Sequence, residues 1–563
     1  MADIREQGPQ PKGWSWRDRA RGSIPVGATL NPLDEPIAGL EVFPTAYVPD
    51  RLLVTMMLGS DGGPYAELRA AAAAFGWGLV PQRLDGDGLP TESPFPEPRF
   101  PGAPVTIRVR LTPSDEQGRQ SPASPDAWKV LQRARRDHYL ARLRDQGVDP
   151  TKAPLRLERE DLLPGVGLEH IVAIDPVGLN PFTQTNPYTK TNPYTQTNPY
   201  TKTNPYTKTN PCDEYATAGS GGRQPVAWLG PAPVRRPDAE ITGRRPVVAI
   251  LDTGAGAHDW LPESIVDRHV TLDGEPVGLT DDADPELYPD LYGPMDGAID
   301  IVSGHGTFIA GLIRQAAPDA DLLAIRAADA MGVVEESALL DLIEEVGVLL
   351  ARHCAGEPGG RAVDVLNLSL GYYHETPQDG AYSLALYDLL AALRALGCTV
   401  VCSAGNDCTD RPTFPASLWP WPGSDNGLQP DDYADHVSVG SLNASGHTTA
   451  LFSNIGPWVK TWAVGASVVS TVPAFVGGFQ ATSRDDAYGR DRETQDPDDY
   501  RGGFAIWSGT SFAAPVVAGR IAHELTAVLA ADGARSSAPP HAVKLARRAA
   551  ATALERGAGT PRG

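Results

Sequence analysis

The chain has 563 residues, too long for one ordinary domain, and 41% of them are hydrophobic, enough to fill a large core. Its formal net charge of −22 argues against a nucleic-acid partner, because phosphate binding needs a basic footprint, and suits a soluble protein that resists association. The opening stretch, MADIREQGPQPKGWSWRDRARGSIP, lacks the apolar core of a secretory signal. No run of about 18 apolar residues offers a membrane span. The expectation is a cytoplasmic protein, or one exported by an unconventional route.

Residues 1–37 are polar and rich in Pro and Gly, and read as a disordered tail. A small domain follows over 38–178. Residues 51–58 suit a strand, 64–75 a helix and 78–82 a strand. Val105, Ile107, Val109 and Leu111 alternate with polar residues as a half-buried strand does. Residues 126–144 read as a charged helix, and 171–174 as a last short strand. The order β-α-β-β-α-β is a ferredoxin-like α+β plan.

Residues 179–211 carry a hexapeptide repeat built on Asn-Pro-Tyr-Thr. Each Asn-Pro step bars helix at the Asn, so the segment reads as a semi-stiff linker with no core of its own. A connector at 212–245 is irregular and ends in Arg244-Arg245. The five cysteines, Cys212, Cys354, Cys398, Cys402 and Cys408, show no metal-like spacing. Cys398 and Cys402 read as small core residues; a bridge from either to Cys408 is the alternative.

The chemistry lies in residues 246–555, with 556–563 as a tail. The apolar run 247–251 reads as a buried parallel strand and ends in Asp252-Thr253-Gly254. An acid there sits where open α/β sheets place their sites. Gly304-His305-Gly306-Thr307 opens a helical run, its glycines leaving room around the imidazole. Ser403-Ala404-Gly405-Asn406 follows an apolar strand at 399–402, and an Asn amide there suits an oxyanion. Ser508-Gly509-Thr510-Ser511-Phe512-Ala513-Ala514-Pro515 puts the Ser511 hydroxyl at a helix N-terminus, where the dipole favours developing negative charge.

These four motifs, in this order, resemble the subtilisin-like (subtilase) serine peptidases over roughly 244–554. The resemblance implies an α/β fold: a subtilisin-like parallel sheet with helices on both faces, preceded here by the small α+β, ferredoxin-like and propeptide-like domain. It implies an endopeptidase that works through an acyl-enzyme intermediate. Ser511 would be the nucleophile, His305 the general base and Asp252 the orienting acid. Asn406 and the Ser511 backbone N–H would form the oxyanion hole, and Ser369-Leu370-Gly371 with Ser403-Ala404-Gly405 would bind substrate backbone. The implied partners are a protein or peptide substrate, and the chain's own N-terminal domain as an intramolecular inhibitor. No cofactor is required. Calcium, which family members often bind, is suggested by Asp281, Asp282, Asp284, Glu286, Asp290, Asp296 and Asp300, without a motif to place it. Self-processing within the linker is expected of an active enzyme. A latent zymogen and a non-cleaving, peptide-binding pseudopeptidase are the alternatives.

Overall fold

The computed structural model contains two large sheets of opposite character, one antiparallel and one parallel, and the last strand of the first also pairs with two short strands contributed by the second unit. The structure describes residues 27–56, 63–90, 95–114, 118, 121–149, 162–174, 223–227, 229–293, 297–376, 384–424, 426–481, 483–532 and 538–557. The N-terminal tail to residue 26, the hexapeptide repeat and the first part of the connector, with Cys212, lie outside these.

The N-terminal unit contains β1 (Ala46–Thr55), α1 (Gly63–Ala74), β2 (Gly78–Gln82), β3 (Thr106–Thr112), α2 (Ala127–Asp145) and β4 (Val166–Ile174). The strands pair antiparallel in the order β4-β1-β3-β2, the ferredoxin-like arrangement. Alternation puts Leu52, Val54, Ile107, Val109 and Leu111 under the two helices, against Leu68, Leu131 and Ala134. Helix α2 starts where it does because the Asp126 side chain accepts the backbone N–H of Trp128 at 3.0 Å. Strand β1 begins five residues ahead of the expected start. It runs through Pro49, whose missing N–H is tolerated because the β1–β4 register shifts between Tyr47 and Leu52. Nor is the whole stretch to residue 37 loose: Ala28–Thr29 pairs with β1, and Leu30 is buried.

The second unit contains β5 (Gln224–Pro225), β6 (Val247–Asp252), β7 (Val266–Asp267), α3 (His305–Ala316), β8 (Asp321–Arg326), β9 (Val333–Glu335) and α4 (Glu336–Ala355). It continues with β10 (Val365–Leu368), β11 (Leu370–Gly371), α5 (Ala385–Ala395), β12 (Thr399–Ser403), β13 (His436–Leu442) and β14 (Thr461–Val464). Strands β15 (Val468–Thr471) and β16 (Phe504–Trp507) and helices α6 (Thr510–Asp532) and α7 (Pro539–Gly557) complete it. The central sheet runs β14-β13-β12-β10-β6-β8-β7, parallel throughout. Its strands read as unbroken apolar runs because both faces are covered. In β6, Ala249 and Leu251 face α4 and α5, packing with Leu339, Ile343 and Leu390. Val248 and Ile250 face α3, α6 and α7, packing with Phe308, Ile521 and Ala550. Helix α6 is long and apolar enough to cross a membrane, yet most of it is buried within this core. Cys398 and Cys402 are buried as free thiols on the opposite face, in the core with α4 and α5, and no disulfide joins either to Cys408. Near residue 490 an acidic stretch forms a hairpin, Arg484–Ala487 against Arg490–Glu493, with the second strand exposed.

Strand β4 joins the units. Its C-terminal end lies between β9 and β11, with Ala173 opposite both Val333 and Gly371. Leu53, Phe100, Val172 and Ile174 enter the same core as Leu339, Ile343 and Val346. Gly347 of α4 makes room for the Phe100 ring, which a Cβ would meet at 2.3 Å. Beside this apolar seam His170, fully buried, bonds Glu336 through Nδ1 at 2.7 Å and Glu375 through Nε2 at 2.9 Å. Tyr372 stacks on the imidazole at 4.5 Å and donates its hydroxyl to Glu336. Arg135 of α2 stands 3.8 Å from Glu375, and the His374 ring lies 4.9 Å from that of His170. Burial would lower the His170 pKa, but Glu336 and Glu375 outweigh it and lift the value to about 9 from 6.5. The contribution of this imidazolium is therefore complete below about pH 6.5 and is lost as pH rises through about 9. His170→Ala strands two buried carboxylates and is expected to cost about 3–5 kcal/mol. Thermal unfolding followed from about pH 6 to about pH 10 checks this: the wild-type excess over the variant should shrink across that range.

Candidate active site

Strand β6 carries Asp252 to the C-terminal edge of the sheet, and the Thr253-Gly254 turn leads away from it. Asp252 Oδ1 accepts the His305 Nδ1–H at 2.7 Å and the backbone N–H of Thr253 at 2.8 Å. His305 is the first residue of α3, preceded by Gly304 in the left-handed region at φ 81°. Gly306 has its own reason: a Cβ there would sit 2.0 Å from the Gly254 carbonyl oxygen. The two glycines thus let the acid's turn and the histidine's helix touch backbone to backbone. The imidazole packs edge-on to Trp507 at 5.5 Å and beside Phe512 at 5.1 Å. Its Nε2 is buried without a hydrogen-bond partner in the described structure.

Ser511 is the second residue of α6, as the sequence leads one to expect. Its hydroxyl donates to the Ser369 carbonyl at 3.4 Å, a long contact. Pro515 lacks the N–H that would pair with the Ser511 carbonyl one turn back. That carbonyl instead accepts the Ser369 hydroxyl at 2.9 Å, tying α6 to the end of β10. Asn406 Oδ1 accepts both the Thr510 N–H at 2.8 Å and the Thr510 hydroxyl at 2.9 Å. With its oxygen held, the amide offers its NH2 group as donor. Gly405 N–H donates to Thr510 Oγ1 at 3.0 Å, so the turn of Ser403, Ala404 and Gly405 is fastened to the start of α6.

Asp252, His305, Asn406, Ser369 and Ser511 are all buried at this edge. Leu370 and Gly371, expected to pair with an extended peptide, are paired antiparallel with Ile174 and Ala173 of β4. The backbone position read as a substrate edge is filled by the chain's own N-terminal unit. Of the two tyrosines after that edge, Tyr372 serves the His170 cluster, and Tyr373 donates to Asp407 at 2.5 Å.

Two contributors escape a reading of the sequence. Asn454 braces the loop behind Asn406, accepting the N–H groups of Asp407 at 3.0 Å and Thr409 at 3.2 Å and donating to the Ala404 carbonyl at 2.9 Å. Its signal is a lone amide in the run Phe452-Ser453-Asn454. Glu286 sits among the acids of the first insert but is buried, bonded to Thr253 and Thr307 at 2.5 Å each. Burial, with Asp284 and Asp252 adding to it, pushes its carboxyl up to about 7 against the two threonine bonds. Its companions also turn to protein groups: Asp281 pairs with Arg326, and Asp300 accepts the N–H of Tyr292 at 3.1 Å. Asp296 lies outside the described residues. Among the described residues, the group of three side chains close enough to share an ion is His170, His374 and Glu375. There His374 Nδ1 already accepts the Thr376 N–H at 3.1 Å.

The contact between the turn and the helix gives a direct check. Gly306→Ala is expected to lower unfolding free energy by about 1–3 kcal/mol, the cost of forcing a methyl into packed backbone. A denaturant melt with an unchanged midpoint would mean that the two turns do not touch.

A family model described as Subtilase family matches residues 243–556, more than half of the chain. An intracellular serine protease of Paenibacillus polymyxa is 29% identical, over 50% of this chain and 67% of its own length. A thermophilic serine proteinase of Bacillus sp. strain AK1 is 28% identical, over 51% and 52%. Mycosin-4 of Mycobacterium tuberculosis is 27% identical, over 48% and 54%. The chain thus spans about two thirds of the first relative and about half of the other two. By its family match and the order of its motifs, this chain belongs to the subtilase family.

Proposed function

We propose that this protein is a serine endopeptidase acting through Asp252, His305 and Ser511, and that its N-terminal unit holds it in a latent form. The observation that carries the first half is the 2.7 Å bond from His305 Nδ1 to Asp252. That bond fixes the tautomer in which Nε2 is the basic nitrogen, and Nε2 is the atom left without a partner. Nε2 takes the Ser511 proton as the hydroxyl attacks a scissile carbonyl. It later returns the proton to the leaving amine, while Asp252 stabilises the imidazolium. The oxyanion would meet the Asn406 NH2 and the Ser511 N–H at the start of α6, where the helix dipole adds to both. The long Ser511 contact accords with a site whose hydrogen bonds tighten only around a substrate.

The pairing of β4 with β11 supports latency. An incoming peptide would add as a strand to Leu370–Gly371, and that edge is taken. Activation would then require β4 to leave, after a cut in the segment that follows Ile174 or by undocking of the whole unit. A non-cleaving peptide binder would need the same cleft but not the Asp252–His305 bond, which makes hydrolysis the better reading.

Intact mass and reaction with a fluorophosphonate probe, on wild type beside Ser511→Ala, test both halves. The expected result is probe bound to Ser511 and cleavage of unfolded protein in the wild type alone, once the N-terminal unit is displaced. Equal activity in the two proteins overturns the assignment. Asn406→Ala should reduce turnover about 10²–10³-fold, the loss known for the corresponding asparagine of subtilisin itself.

A further inference from the structure

We propose that Glu286 is a positioning residue for the hydrolytic machinery, a carboxyl that clamps the turn after Asp252 to the first turn of the His305 helix. The inference rests on the reading of Asp252 and His305 given above. Helix α3 begins without a side-chain cap, because its capping position is Gly304. The N–H groups of its first turn therefore need an acceptor from elsewhere. Glu286 supplies it from the insert between β6 and α3: Oε1 accepts the Gly306 N–H at 3.0 Å, and Oε2 accepts the Thr307 hydroxyl at 2.5 Å. Oε1 also accepts the Thr253 hydroxyl at 2.5 Å.

Each partner is tied in turn to the reacting groups. Thr253 follows Asp252 directly, and its Oγ1 accepts the Gly306 N–H at 2.8 Å. Thr307 Oγ1 accepts the Gly256 N–H at 2.6 Å, closing the loop from the other side. One buried carboxyl thus holds both threonines of the Asp-Thr-Gly and His-Gly-Thr motifs. The 2.7 Å bond between Asp252 and His305 is set between the two pieces that it joins. The hydrogen bonds of this carboxyl go to Thr253, Gly306 and Thr307 and not to Ser511, so it acts through the geometry of the acid and the base. A shift of about 1 Å in such a pair costs about 10²-fold in turnover.

The test compares Glu286→Ala with Glu286→Gln. Alanine removes every acceptor; glutamine keeps the shape and one acceptor oxygen. In the activated enzyme, Glu286→Ala should lower kcat about 100-fold with KM within about twofold, and Glu286→Gln should recover most of kcat. A second readout does not depend on hydrolysis. In the full-length chain carrying Ser511→Ala, the His305 Nδ1 proton bonded to Asp252 should give a deshielded NMR resonance. Glu286→Gln should preserve it and Glu286→Ala should shift or abolish it. If both variants keep the wild-type kcat and resonance, the proposal falls. If kcat and KM worsen together and glutamine does no better than alanine, Glu286 merely supports the fold and the proposal also falls. If the wild type never hydrolyses peptide yet the resonance follows the variants as described, the clamp stands and the peptidase assignment fails instead.

Discussion

The site depends on one close approach: the Gly306 backbone against the carbonyl of Gly254, too tight for any side chain. It brings a strand end and a helix start close enough for a carboxylate and an imidazole to bond. That juxtaposition is expensive to make. The carboxylate is buried, the helix N-terminus is uncapped by its own residues, and two loops must run side by side. The surrounding polar atoms repay the cost with donors and acceptors drawn from both motifs. The rest of the second unit, a parallel sheet between two helical layers, holds these turns at its C-terminal edge.

What could be read from the chain follows from how local the physics is. The places of Asp252, His305, Asn406 and Ser511 in the fold were legible because each lies in or beside a tight turn whose backbone admits few residues, so glycine and threonine mark the place. The alternation of Val109 and Leu111 with arginines likewise announced a strand with one covered face. Glu286 was not legible. It lies among exposed acids of the same type, and only a fold that returns the insert to α3 separates it from them. Strand β1 begins ahead of its apolar run because Tyr47 pairs with His170 of β4, far along the chain, and with Ala28, while Ala46 pairs with Thr29. The pairing of β4 with β11 left no local trace either, since strand addition is written in main-chain atoms.

The interface between the units mixes two kinds of adhesion. Phe100, Val172 and Ile174 contribute an apolar seam that is indifferent to pH. The His170 cage is selective: an imidazolium, with Arg135 beside it, is balanced by two acids of the other unit, and Tyr372 stacks on its ring. Apolar burial supplies hold, while the charged cage fixes register, since a slip by one residue would turn the imidazole to the wrong face of β4. That register also determines which residues lie opposite Gly371.

The two strands that flank β4 are very short, three residues in β9 and two in β11. While β4 is seated, their free N–H and C=O groups are covered. When it leaves, the newly bared rims offer only a few rungs each, too few to template the growth of a ladder from molecule to molecule. Rims this short would not seed polymerisation if β4 were displaced. By the same brevity, a peptide that took the place of β4 would gain little from main-chain rungs alone, and side-chain contacts would have to supply the rest of its grip and its selectivity.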